Sequence, residues 1–210
     1  MRRVFLLALF ALALPIAASA DIIVTNAYGS VSVSTAGIVV GATTKSHLTS
    51  WDGIVPASPG GSLGSVTFST GSLASGSLST GGTFNGGGSF IVTGVGAWTK
   101  TLPGAPHSPV VLFNGSFVGP VTLTLTSPPG KLNLTFTLTG TIAGTLYNGR
   151  WVTGTTTQTL YSSNAQWTNG IGHIRVGNST LTVPEPGTLG LLGTGLVGIA
   201  GMFRRKLIGT

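Results

Sequence analysis

Apolar and hydroxyl residues alternate strictly along two stretches of this chain. Val121, Leu123 and Leu125 are interleaved with Thr122, Thr124 and Thr126, and Leu132, Leu134, Phe136 and Leu138 with Asn133, Thr135, Thr137 and Thr139. A period of two places one set on each face of a strand, so each stretch predicts a half-buried strand with an apolar inner face and a hydroxyl outer face. Weaker versions of the pattern predict strands at 22–25, 31–34, 37–40, 65–70, 89–93, 110–113, 141–147, 151–161, 171–176 and 179–183. No stretch between 21 and 182 has helical periodicity.

Turn chemistry separates these runs. Ser127-Pro128-Pro129-Gly130 divides the two clearest strands, and Asn-Gly pairs occur at 85–86, 114–115, 148–149 and 169–170. Asn-Gly between apolar runs signals a type I′ hairpin, because both central residues need positive φ; Leu146-Tyr147-Asn148-Gly149-Arg150-Trp151-Val152 is the best instance. Residues 61–96 are rich in Gly and Ser, with Gly-Ser-Leu at 61, 71 and 76, a spacing too irregular for a solenoid. Leu63, Val66, Phe68, Leu73, Leu78, Phe84 and Phe90 still recur through this region and predict strands. Many short strands with frequent turns predict an all-β, antiparallel β-sandwich or jelly-roll-like domain.

The two ends follow other rules. Met1-Arg2-Arg3 precedes an unbroken apolar run from Val4 to Leu14, then Pro15 and Ala18-Ser19-Ala20. This pattern predicts a secretory signal-peptide helix at 1–20, with Ala18 and Ala20 at the positions read by signal peptidase and cleavage expected before Asp21. The very short basic segment favours the general secretory route over the twin-arginine one. At the other end, the apolar run 187–203 is about 25 Å long at ~1.5 Å per residue, the lower limit for a transmembrane helix. Arg204, Arg205 and Lys206 follow it as a stop-transfer signal facing the cytoplasm. Gly190, Thr194 and Gly198 form a small-residue stripe suited to close helix packing. Three segments result: 1–20, a β-rich extracytoplasmic domain at 21–182, and a tail at 183–210.

Composition narrows what the body can do. Charged residues make up 6% of the chain, so solubility comes from hydroxyls and backbone. The mean hydropathy of +0.47 is inflated by the two apolar ends. The formal charge of +7 is concentrated at those ends as well. The body's own bases, Lys45, Lys100, Lys131, Arg150 and Arg175, are scattered along the sequence and make no phosphate-tracking stripe, which sets nucleic acid aside. The absence of Cys excludes disulfides, a Cys-ligated metal and a thiol nucleophile. Asp21 and Asp52 are the body's only carboxylates, too few for paired acid–base work. His47, His107 and His173 share no ligand spacing, and no nucleophile elbow accompanies them. No enzyme, cofactor or metal site is predicted. Trp51, Trp98, Trp151, Trp167, Tyr147 and Tyr161 are either core fillers or exposed platforms for sugar rings. Asn114-Gly115-Ser116, Asn133-Leu134-Thr135 and Asn178-Ser179-Thr180 match the glycosylation sequon by pattern alone.

Val183-Pro184-Glu185-Pro186, the Gly-rich apolar run and Arg204-Arg205-Lys206 together resemble the PEP-CTERM sorting tail of Gram-negative bacterial surface proteins. The resemblance covers 183–210. It implies a motif at Val183–Pro186 read by exosortase, a membrane protease, and a helix that holds the motif at the membrane surface. It also implies export, transient inner-membrane anchoring, and a final place at the cell surface or in an exopolysaccharide or biofilm matrix. Two prolines keep the motif extended, as a protease groove requires. The sequence therefore predicts a structural or adhesive surface protein with signal peptidase, exosortase and exopolysaccharide as partners. The alternative is a non-catalytic glycan-binding module, favoured if two or more Trp or Tyr rings lie on one face.

Overall fold

The computed structural model describes residues 21–41, 43–104, 108–127, 134–162 and 171–183. Asp21–Val183 forms one compact unit. Its strands are β1 (Ile22–Ala27), β2 (Ser30–Ser34), β3 (Gly37–Val40), β4 (Ser46–Trp51), β5 (Gly64–Ser69), β6 (Leu73–Ser77), β7 (Gly81–Phe84), β8 (Gly87–Gly94), β9 (Val110–Phe117), β10 (Val121–Leu125), β11 (Leu134–Leu146), β12 (Trp151–Ser162) and β13 (Ile171–Thr182). One 3₁₀ turn, Ala97–Thr101, joins β8 to β9. All pairings are antiparallel.

The expected sandwich is corrected to a closed barrel of 8 staves. Several staves consist of two strands running end to end: β1–β2, β3–β4, β5–β6, β7–β8 and β9–β10. Each then pairs with its neighbours in sequence. β1 meets β4 while β2 meets β3; β8 meets β9 while β7 meets β10; β9 and β10 both lie along β11. The circuit closes where β13 pairs with β12 on one side and with β1 and β2 on the other. Among the described strands only β6 keeps an unpaired side, since it pairs with β7 alone. Alternating inward and outward faces are common to both architectures, so the pattern that predicted strands could not distinguish them.

Breaks within the staves allow the sheet to coil. Tyr28-Gly29 interrupts β1–β2, and both residues have positive φ, 63° and 85°. Bulges at Thr25/Asn26 and Thr159/Leu160 shift the register locally and add twist. At the crossing of β9 and β11, Gly115 pairs with Gly144 so closely that a Cβ on either would overlap the other strand's backbone. Asn114-Gly115 is therefore mid-strand, and Asn85-Gly86 joins β7 to β8 within one stave. Asn169-Gly170 lies outside the described residues. Of the described pairs only Asn148-Gly149 forms a hairpin turn, and its type differs from the expectation. Gly149 alone has positive φ, and the Leu146 N–H donates to Arg150 O at 2.9 Å, giving a three-residue loop that ends in a left-handed glycine.

An 8-stave barrel has an interior just wide enough to be filled by side chains. Phe68 stacks on Phe90 with ring centroids 5.4 Å apart, and Phe117 and Phe113 meet Phe90 edge-on at 5.9 and 6.1 Å. Leu134, Phe136 and Leu138 point inward, and Thr135 and Thr137 outward, as the alternation predicts. Leu132 and Asn133 lie outside the described residues.

Candidate functional site

Val183 follows directly on the last residue of β13 and packs into the apolar core. It is the only residue of the predicted sorting motif within the described residues. Pro184, Glu185, Pro186, the run 187–203 and Arg204, Arg205 and Lys206 lie outside them, as do Ala18 and Ala20, the residues expected to be read by signal peptidase. Among the described residues no helix is long and apolar enough to cross a membrane. The rim that Val183 leaves from also carries Asp21 and Asp52, whose N–H donates to Ile23 O at 2.8 Å. Both body carboxylates therefore sit at the rim where β13 ends.

The sequence profile of the PEP-CTERM protein-sorting motif matches residues 182–206. The chain carries a PEP-CTERM sorting signal. That signal implies export, anchoring in the membrane before processing by exosortase, and a place at the cell surface. The match begins at Thr182, the last residue of β13, so the barrel and its sorting signal are contiguous. A search of curated proteins finds no match, and a search of solved structures finds none.

The barrel's outer wall is the surface such a protein would present. Cross-strand pairing lines up Thr83, Thr122, Thr139, Thr157, Asn178 and Thr25 in one row from β7 to β1. Thr137 beside Thr159, and Thr141 beside Thr155 and Thr180, repeat it above and below. Neighbouring rows are spaced by about 6.6 Å along the strand and residues within a row by about 4.8 Å. The result is an uncharged lattice of hydroxyls and methyls.

The aromatic candidates separate cleanly. Trp51 is buried at 2% exposure in the core. Trp98 packs against that core and donates its Nε1–H to Leu63 O and Val95 O at 3.0 and 2.8 Å. Tyr147 is half-buried against the core, and Trp167 lies outside the described residues. Trp151 is 60% exposed at the start of β12, while Tyr161 sits half-buried near that strand's far end. Both point outward, some 33 Å apart at ~3.3 Å per residue, so they form no common platform. Tyr28, absent from the sequence-derived candidates, is 59% exposed.

Among the described residues no group of three His, Cys, Asp or Glu could hold a metal ion. His107 lies outside them. His47 lies on β4 and His173 on β13.

One feature of the barrel interior escaped the sequence reading. Asn26, Ser46, Thr156, Gln158 and Ser179 are buried and bonded to one another: Asn26 Nδ2 donates to Ser46 Oγ at 2.8 Å and Gln158 Nε2 to Thr156 Oγ1 at 2.9 Å, while Ser179 Oγ donates to Thr156 Oγ1 at 2.8 Å. Every member has a partner, which is the condition for a polar network to be tolerated in a core. Its signal was parity: Thr156 and Gln158 fall in step with Val152 and Leu160, on the inward face.

Proposed function

We propose that the barrel is a non-catalytic structural or adhesive protein of the cell surface or extracellular matrix, delivered there by its sorting signal and an N-terminal secretory leader. The observation that carries this reading is the threonine lattice, which offers polysaccharide hydroxyls many equivalent weak partners and few charges. Such a surface suits broad, low-affinity association with hydrated exopolysaccharide in a biofilm. Mass spectrometry of the protein recovered from its native envelope tests the delivery. The expected N-terminus is Asp21, and the expected C-terminus lies at or near the motif Val183–Pro186. Recovery of a chain intact at both ends, in the soluble fraction, would remove the reading.

A second reading, a glycan-binding module, is supported by Tyr28. The residue is 59% exposed, with the His47 ring edge-on beside it, so most of an aromatic surface is open to a ligand.

A further inference from the structure

Four side chains distant in sequence, those of Tyr28, His47, His173 and Arg175, are gathered on the outer wall where β1–β2, β4 and β13 run together. The antiparallel register pairs Asn26 with Gly177 and Ser30 with His173, which sets Tyr28 opposite Arg175. On its other side, the ring of Tyr28 meets that of His47 edge-on with centroids 5.8 Å apart. His173 in turn pairs with Tyr161 of β12. Lys45 is exposed, and its backbone abuts Gly29, so it borders the same patch. The bases that look scattered along the sequence are thus partly gathered by strand pairing. Neither body carboxylate is among them, since Asp21 and Asp52 sit at the rim.

Three features mark this patch as more than a solvated face. Tyr28 has φ of 63°, a conformation that L side chains with a bulky Cβ substituent adopt at a cost and that concentrates at ligand-binding positions. Arg175 is the extra residue of the bulge at which Thr159 pairs with Val176 and Leu160 with Ile174; bulges re-aim side chains out of the ladder. The Nδ1 atom of His47 is buried and has no hydrogen-bond partner among the described residues, an unfavourable defect of a kind tolerated where a ligand completes the bonding.

We propose that Tyr28, His47, His173 and Arg175 form a binding site for an acidic saccharide, a sugar ring bearing carboxylate or phosphate. The Tyr28 ring supplies an apolar face for the C–H side of the sugar. Arg175 supplies a planar fork of donors for the anionic group. This rests on the glycan-binding reading and gives it a ligand class and a place.

The test uses the full chain in detergent micelles, with polygalacturonate, a phosphomannan, neutral dextran and duplex DNA as probes in affinity electrophoresis. Retardation by polygalacturonate or phosphomannan is expected, the stronger of the two telling carboxylate from phosphate, with none by dextran. Arg175→Gln should weaken that binding about tenfold, the loss usual for a hydrogen bond to a charged group, and Tyr28→Gly by about as much, through loss of the ring's apolar face. Tyr28→Gly keeps or raises the melting temperature, because glycine suits positive φ, so its loss of binding is not a loss of fold. Equal retardation by DNA would show a mere cationic patch and overturn the site. So would wild-type mobility unchanged by either acidic glycan, or variants that bind like wild type. None of these outcomes touches delivery to the surface, which fails only on the termini recovered from the envelope.

Discussion

Asn26 and Gln158 face each other inside the barrel and exchange two hydrogen bonds, Asn26 Nδ2 to Gln158 Oε1 at 3.0 Å and Gln158 Nε2 to Asn26 Oδ1 at 3.2 Å. The amide pair lies against Gly177, the β13 residue that pairs with both. A Cβ at position 177 would overlap Gln158 Oε1 and Asn26 Oδ1. Gly177→Ala is therefore expected to destabilise the barrel by about 3 kcal/mol, through overpacking and a broken network. Denaturant unfolding of the single variant checks this. A Gly177→Ala/Gln158→Ala pair should cost clearly less than the sum of its parts, since the second change removes one of the overlaps.

Phe90 makes ring contacts with Phe68, Phe113 and Phe117 and has no exposed surface. Phe90→Ala should cost about 3–5 kcal/mol, and Phe90→Leu much less, because leucine fills most of the volume. Equal midpoints for the two variants in urea would contradict a close-packed interior.

Thr139 and Thr157 pair on the outer wall, where their hydroxyls meet solvent and not the core. Thr139→Val and Thr157→Val should each shift stability by no more than about 0.5 kcal/mol. If the lattice is what binds matrix, the double variant should still fold and be exported, yet wash out of isolated matrix at a lower concentration of detergent or competing soluble polysaccharide than wild type. Retention equal to wild type would remove the lattice from the account.

Leu196→Arg places a charge near the bilayer centre at ~2.5–3.5 kcal/mol, and should release the chain unprocessed into the soluble fraction. Glu185→Ala should leave it membrane-bound and uncut. A fractionation blot in which both variants are processed like wild type would contradict the assignment of these residues.

Local features were the ones legible in the sequence. On β11 the alternation correctly sent Leu134, Phe136 and Leu138 inward, and the order of motif, apolar run and basic residues identified the sorting signal without any structure. Closure was not legible, because it depends on β13 finding β1 at the other end of the domain, and alternation carries no information about partners. Asn114-Gly115 misled for a related reason: its glycine answers to the backbone of Gly144 across the sheet, not to a turn. The patch around Tyr28 was hidden in the same way. Lys45, His47, His173 and Arg175 are neighbours only after the register between distant strands is fixed.

The closing strand is also the strand that leads into the sorting signal. Val183 continues β13, and β13 is the seam joining the last stave to the first. Any pull delivered through the tail, with the barrel gripped at its opposite rim, is directed along β13 and against the ladders on both its sides. Such a load shears many hydrogen bonds at once instead of peeling them one at a time. A strand placed to complete the fold is thereby placed to hold under tension, so a barrel tethered by its C-terminal end would resist drag at the point of attachment.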